Sequence, residues 1–448
     1  MKPIFFLAFF GLLLAPAAAQ NLPYDQTIDW VLNNHPLAAA ADAVEQRGAA
    51  ELMKFRGALD PKLSVNYDRK DFKGTEYFDY GEAAVEWQSP FAVKVAGGYQ
   101  RAEGTYLNAE RTIPSAGQGY LALKLPLLRG LMTDATRIGL KRGELAVDRQ
   151  RALADVIRNE LRYDLAVRYL QWTFAVEVLD LNREMETTIA ERLANYRVLL
   201  QQGDKAEVDT LEASVYLGTQ QQMVRQAEID LVLAQQAVAE MYWPMTEGEV
   251  PVTLPAEFLV NLPAPGTVES HPEIRQLALS LADASLSRDL KREQLKPELN
   301  LSYYLLGDGF ALPEMDASPF AEAYKFGLTA SYPILNRKAR AGAQLGELKV
   351  LESEAKLGAK TQALFTKAGA YYGASRQYLQ QLNSGEILAN QAAQLLAAER
   401  ELYDLGESTQ FVLNQREQAL LKARMDVAKL RLSRAKAVAT YRYLRAVW

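Results

Sequence analysis

Cysteine is absent from the 448 residues of this chain. That excludes disulfides, thiolate metal sites and thiol nucleophiles together. Histidine is nearly absent, with His35 and His271 the only two, and two histidines without partnered acidic spacing make a poor metal site. No GxxxxGK(S/T) phosphate loop and no HExxH pair occurs, so neither nucleotide nor zinc hydrolase chemistry is signalled, and no cofactor is implied. An excess of positive charge is lacking too: the net charge is −5, which argues against a nucleic-acid partner because phosphate contacts need a basic surface. After the N-terminus no apolar stretch reaches 18 residues, so there is no candidate membrane helix. Proline is missing from two long spans, 117 residues from Leu127 to Trp243 and 115 from Ile334 to Trp448.

At the N-terminus, Lys2, the apolar run Ile4 to Leu14 and the small residues Ala17-Ala18-Ala19 read as a secretory signal peptide, too short for a spanning anchor. Cleavage is expected after Ala19, leaving Gln20 first. An exported chain without membrane helices can still enter a bilayer as a β-barrel, whose strands are short and only half apolar.

A repeat organises the rest. His35/His271, Pro36/Pro272, Pro61/Pro297 and Tyr67/Tyr303 match at an offset of 236. Gly143-Glu144-Leu145 matches Gly346-Glu347-Leu348, and Gly203 matches Gly406, at an offset of 203. The largest difference lies between Tyr67 and Pro126, 59 residues apart, where Tyr303 and Pro333 are 30 apart.

Each half runs in the same order. A helix opens at the His-Pro pair, where proline suits the first helical position; both histidines are therefore read as helix-start residues and not as ligands. Leu63, Val65 and Tyr67, and Leu299, Leu301 and Tyr303, alternate with polar residues, the period of strands buried on one face. Return strands follow at 120–125 and 326–332. The additional residues of the first half predict another hairpin, Ala83 to Trp87 and Val93 to Tyr99, turning near Ser89-Pro90. The proline-free spans, rich in strong helix formers, predict long helical hairpins. Ile189, Leu193, Tyr196 and Leu200, and Leu413, Leu420, Ala423, Val427 and Leu430, are spaced as in coiled coils. Gly203 and Gly406 mark the tips, since glycine commonly ends a helix in a left-handed turn. The expected organisation is a signal peptide at 1–19, a helical segment at 20–60, strands at 61–126, a hairpin at 127–243, a proline-rich crossover at 244–270, a helix at 271–296, strands at 297–333 and a second hairpin at 334–448. The fold class is mainly α with a membrane β-barrel portion. Several copies must supply the strands, because closure removes sheet edges that one chain leaves open.

The Pro61-Lys62-Leu63 and Pro297-Glu298-Leu299 strand starts, the Leu125-Pro126-Leu127 and Tyr332-Pro333-Ile334 strand ends and the two glycine-tipped hairpins resemble the TolC-type outer-membrane efflux family over nearly all of the mature chain. The resemblance implies a homotrimer in the Gram-negative outer membrane. Its strands would form a barrel in outer-membrane lipid and its helices a periplasmic tunnel. The tunnel's end would meet a periplasmic adaptor (membrane fusion) protein and an inner-membrane transporter. Such proteins are passive conduits that open at the helical tip and are not enzymes. It further implies a gating latch between Asp209 and Tyr403, and adaptor contact at the tip turns Gly203, Asp204, Gly406 and Glu407. Six and nine residues after Gly406, where constriction carboxylates are expected, stand Val412 and Gln415. Glu407 or Asp404 is the substitute. Ser408 replaces the family's basic residue, so a second latch is not expected. The competing reading is an exported coiled-coil stalk, adhesin or periplasmic adaptor without a pore. Such a protein would stay soluble without detergent.

Overall fold

The computed structural model describes residues 24–109, 112–242, 261–311 and 323–448. The signal peptide at 1–19 and most of the 244–270 crossover lie outside them. The described residues form two compact units, one comprising residues 41–156 and 268–363, the other the remainder.

The first unit contains a six-stranded sheet. Its strands are β1 (Lys62–Phe72), β2 (Thr75–Gln88), β3 (Lys94–Glu103), β4 (Gln118–Pro126), β5 (Glu298–Leu306) and β6 (Tyr324–Ser331), antiparallel throughout and ordered as in the chain. Four strands come from the first half and two from the second. The additional hairpin is β2–β3, and it is inserted in the sheet with both neighbours hydrogen-bonded. Its turn is fixed locally: the Ser89 hydroxyl accepts the N–H groups of Phe91 and Val93, each at 3.2 Å.

The register sorts side chains by face. One row runs Trp87, Val95, Leu123, Tyr303, Phe326 across five strands. Another runs Leu63, Val85, Gly97, Leu121, Leu305, Tyr324 across six. Successive side chains alternate between faces, so both rows share one face, and it is apolar. The opposite face carries Ser64, Glu82, Glu86, Lys94, Gln100, Lys124 and Ser302. Its charges are paired there: Lys124 Nζ donates to Glu86 at 3.1 Å, and the Tyr120 hydroxyl donates to Glu82 at 2.7 Å. Gly98 is required by the same face, since a Cβ would come within 2.7 Å of the Tyr120 ring.

Helices accompany the sheet in this unit: part of α2 (Pro36–Arg56), α5 (Pro272–Glu293) and the first stretches of α3 (Ala135–Gln202) and α6 (Arg337–Asp404). The repeated glycines lie where helices cross. A Cβ on Gly143 would approach Leu52 and Phe55 to 3.0 Å, and one on Gly346 would approach the Arg288 Cα to 3.1 Å. Arg142 of α3 pairs with Asp283 of α5 at 2.7 Å.

The second unit contains α1 (Tyr24–Asn34), the start of α2, the later parts of α3 and α6, α4 (Glu207–Ala239) and α7 (Gln410–Arg445). Tyr24, Val31, Leu165, Tyr169 and Ala439 form a buried core. Toward the tips the heptad residues pack as the spacing predicts: Ile189, Leu193 and Tyr196 are buried, as are Leu413, Leu420 and Val427. α3 and α6 are each 68 residues long, or about 100 Å at ~1.5 Å per residue. No helix among the described residues is long and apolar enough to cross a membrane.

Candidate functional site

Both hairpin tips use the same backbone device. Gly203 has φ +85° and Gly406 φ +79°. Gly203 N–H bonds the Leu200 carbonyl at 3.1 Å and Asp204 N–H the Leu199 carbonyl at 2.9 Å. Gly406 and Glu407 repeat the pair on Tyr403 and Leu402 at 3.0 and 2.8 Å. This is the Schellman ending, which satisfies carbonyls a helix terminus leaves open. Asp204 and Glu407, one residue past each glycine, are exposed. After the second tip, the Thr409 hydroxyl caps α7 by accepting the Val412 N–H at 3.4 Å.

A polar cluster joins the two hairpins beside these turns. The Tyr403 hydroxyl lies 2.6 Å from the Tyr196 hydroxyl and accepts from Lys205 Nζ at 3.0 Å. The ammonium stands 5.2 Å from the centre of the Tyr196 ring and 5.3 Å from that of Tyr403, within cation–π range of both. Burial, then the Tyr403 hydroxyl, raises the Tyr196 pKa above its ordinary value. The expected bond from Tyr403 to the Asp209 carboxylate does not form within the chain. Lys205, in the tip loop, and Tyr196, on the facing helix, occupy the hydroxyl instead. Asp209 lies in the first turn of α4, where a carboxylate is favoured by the helix dipole. Its backbone carbonyl accepts from Gln410 at 3.3 Å, so the residue does bridge the two hairpins, through its main chain.

Further along, Arg192 of α3 donates to Glu417 of α7, and to Asn414 at 2.6 Å. Glu417 is fully buried, and Arg400 of α6 also reaches it, at 3.4 Å. Burial lowers the Arg192 pKa, but the bond to Glu417 and its charge outweigh that and leave it raised. Burial pushes the Tyr216 hydroxyl nearby up to about 12. The pairing continues along the helices, Arg424 with Glu184 at 2.9 Å and Arg431 with Glu177 at 2.9 Å. On α7 the charges at 417, 424 and 431 are seven residues apart.

Ser408, in place of a basic residue, bonds Glu399 through its hydroxyl. Arg416 meets the same carboxylate at 3.5 Å. Val412 is half-buried and Gln415 exposed; Glu407 and Asp404 are the exposed acids at this tip. Lys205, Arg192 and Glu417 carry no role in the sequence reading, and Tyr196 enters it only as a heptad-spaced residue. Glu417 had a signal, a charge between Leu413 and Leu420 on an otherwise apolar heptad seam.

The histidines stand at helix starts. His35 Nδ1 accepts the Leu37 N–H at 3.1 Å and His271 Nδ1 the Glu273 N–H at 3.2 Å. Among the described residues, no cluster of His, Asp or Glu could hold a metal ion.

Comparison with known proteins supplies the context for this geometry. Residues 267–444 match the family model described as outer membrane efflux protein. No curated protein matches the chain in sequence. Among solved structures, the MtrE outer membrane channel of Neisseria gonorrhoeae, in its open state, is similar with a TM-score of 0.67 and 16% identity, over 99% of this chain and 98% of that one. The CmeC outer membrane channel of Campylobacter jejuni gives 0.67 and 13%, over 95% and 86%. The outer membrane protein VceC of Vibrio cholerae gives 0.65 and 13%, over 94% and 95%. At these identities the likeness establishes the fold.

Proposed function

A chain whose residues 267–444 belong to the outer membrane efflux protein family, on a fold shared with outer-membrane channels, is, we propose, the outer-membrane member of a tripartite export system. It sits in the outer membrane with its helical part in the periplasm. Three copies associate, each giving its sheet to one barrel and its two hairpins to one tunnel wall. The protein is a conduit and no enzyme. It needs no cofactor, and an inner-membrane transporter supplies the energy.

The observation that carries this reading is the sheet. One face is apolar on every strand, from Leu63 and Val65 on β1 to Phe326 and Leu328 on β6, and these four side chains are 54–70% exposed. A water-soluble stalk or adaptor has no use for such a face, whereas a barrel wall in lipid requires it.

The periplasmic adaptor meets the tip turns, where Gly203, Asp204, Gly406 and Glu407 offer exposed backbone and two carboxylates. Gating involves Tyr403 and Asp209. Within one chain Tyr403 is held by Tyr196 and Lys205, and the Asp209 carboxylate is uncommitted, so it is available to take the hydroxyl when the tips move or when copies meet. Single-channel conductance of the detergent-extracted protein in a planar bilayer tests both levels. Small, stable conductance in wild type that rises in Tyr403→Phe is expected. Conductance unchanged by the substitution would remove Tyr403 from the gate, and a correctly assembled trimer that conducts nothing would sink the channel reading.

A further inference from the structure

We infer that all six strands of each chain belong to the membrane wall, and that β1 of one copy pairs with β6 of the next, so that three copies close an eighteen-stranded barrel. The number of copies rests on the function proposed above; the pairing rests on the sheet itself.

β2 and β3 are the strands in question, since a unit with two strands per half would not contain them. They keep the alternation of their neighbours in register. Ala83, Val85 and Trp87 on β2, and Val95 on β3, fall in the apolar rows. Glu82, Glu86, Lys94 and Gln100 fall in the polar ones and bond to β4 side chains: Lys124 to Glu86, Tyr120 to Glu82, and Gln100 Nε2 to Gln118 at 2.8 Å. A hairpin capping the barrel or lying beside it would have no reason to continue both faces of the wall.

β1 and β6 are the open edges of the sheet. Neither contains proline, and the one bulge of β1, at Lys70/Asp71, and its run of charges lie beyond the apolar stretch Leu63 to Tyr67, so that stretch lacks the usual protections of a free edge. A chain cannot join its own edges usefully, because about eight strands are needed before a barrel interior even holds side chains. A second copy fits. One row of the sheet connects Lys62, at the start of β1, through Glu86, Ala96, Ala122 and Tyr304 to Lys325. Ser331, the end of β6, lies six residues beyond Lys325. If strand ends on the same side of the membrane meet, Ser331 faces Lys62 of the next copy, and the stagger is six residues for six strands. With ~3.3 Å per residue and ~4.8 Å between strands this corresponds to a tilt of about 35°, within the range of closed barrels.

That register also pairs side chains sensibly. Val65 faces Leu328, Tyr67 faces Phe326 and Ser64 faces Thr329. Asp68, which pairs with Tyr80 through the ladder but whose carboxylate makes no side-chain hydrogen bond or ion pair among the described residues, faces Lys325. Cross-strand pairs of these kinds each favour pairing. At eighteen strands the backbone lies about 17 Å from the barrel axis, against about 11 Å for twelve, so the pore stays open to water. Its wall would carry three copies of the Glu82–Glu86–Lys94–Lys124 cluster.

The absence of native cysteine makes the test direct. Ser64→Cys with Thr329→Cys in one full-length chain should, on oxidation in membranes, convert the monomer band on a denaturing gel to covalent dimer and trimer. Pairing Ser64→Cys with Gly327→Cys or Ser331→Cys brackets the register. Fluorophores on single cysteines at Ala83 and Val95 should be quenched by quenchers attached to acyl chains, as at Leu121 and Leu301. Asp68→Lys should lower trimer yield, and Asp68→Lys with Lys325→Asp should restore it. A conducting trimer that never cross-links in any of the three registers overturns the edge pairing and leaves the channel standing. Quenching at Leu121 and Leu301 but not at Ala83 or Val95 overturns the membership of β2 and β3. Loss of both trimer and conductance in wild type overturns the channel and this barrel together.

Discussion

At the residue scale the most demanding group is Glu417, a carboxylate with no solvent contact. Breaking a buried ion pair leaves a charge uncompensated, whereas replacing both partners by apolar groups is often neutral. Arg192→Met is therefore expected to destabilise the folded chain by roughly 3–5 kcal/mol, and adding Glu417→Leu to recover most of it. Denaturant titration of the single and double variants checks this. The Tyr196 hydroxyl gives a pH prediction. Its pKa is raised in the folded state, so the neutral form is the one the fold favours. The stability it contributes is fully present below the ordinary tyrosine value of about 10 and is lost as pH rises through the raised value. Tyrosinate absorbance, wild type minus Tyr196→Phe, should show the missing transition above pH ~10; a transition at or below it would contradict the burial of this hydroxyl.

At the element scale the hairpins were legible because helix formers, heptads and the absence of proline act locally. Gly203 and Gly406 announced their turns since only glycine takes a left-handed ending without strain. Gly143 and Gly346 were visible as a repeated motif, but their purpose was not: sequence does not show that Leu52, Phe55 and Arg288 press against them. The strands were legible by alternation, and the β2–β3 hairpin by its length, though the strands run longer than predicted, since Thr75 to Asp79 and Gln100 to Glu103 do not alternate apolar with polar residues. The tip cluster was least legible. Tyr403 stands out in the sequence beside its tip glycine, but the partners of its hydroxyl are 207 and 198 residues away in the chain, and only three-dimensional packing selects Tyr196 and Lys205 over Asp209. Gly406→Val should strain the second tip by about 1–2 kcal/mol. Amide exchange should then quicken across 399–412 and leave 225–239 of α4, away from the tip cluster, unchanged.

At the scale of the whole molecule, the two faces of the sheet make opposite demands on substitution. Leu121→Arg places a charge on the apolar face and is expected to cost about 2–4 kcal/mol at the middle of a bilayer, visible as loss of membrane-inserted trimer. Gln100→Arg lies on the polar face and should insert normally. Equal tolerance of the two would mean the sheet does not face lipid. The family match covers residues 267–444, yet the first half carries the same order of helices and tips, at offsets of 236 for the His-Pro helix and 203 for the tips.

The equal length of α3 and α6 sets a rule for how such a chain can change. Along an uninterrupted helix, one inserted residue turns everything beyond it by about 100°, carrying every seam residue off its seam. Seven or eleven residues return the face to within ~20°. Growth or shortening of these arms is therefore quantised, and it must occur in both halves at once or the two tips fall out of step. Natural variation in arm length should come in paired heptads or elevens, a spacing rule written by geometry and not by any contact at the tips themselves.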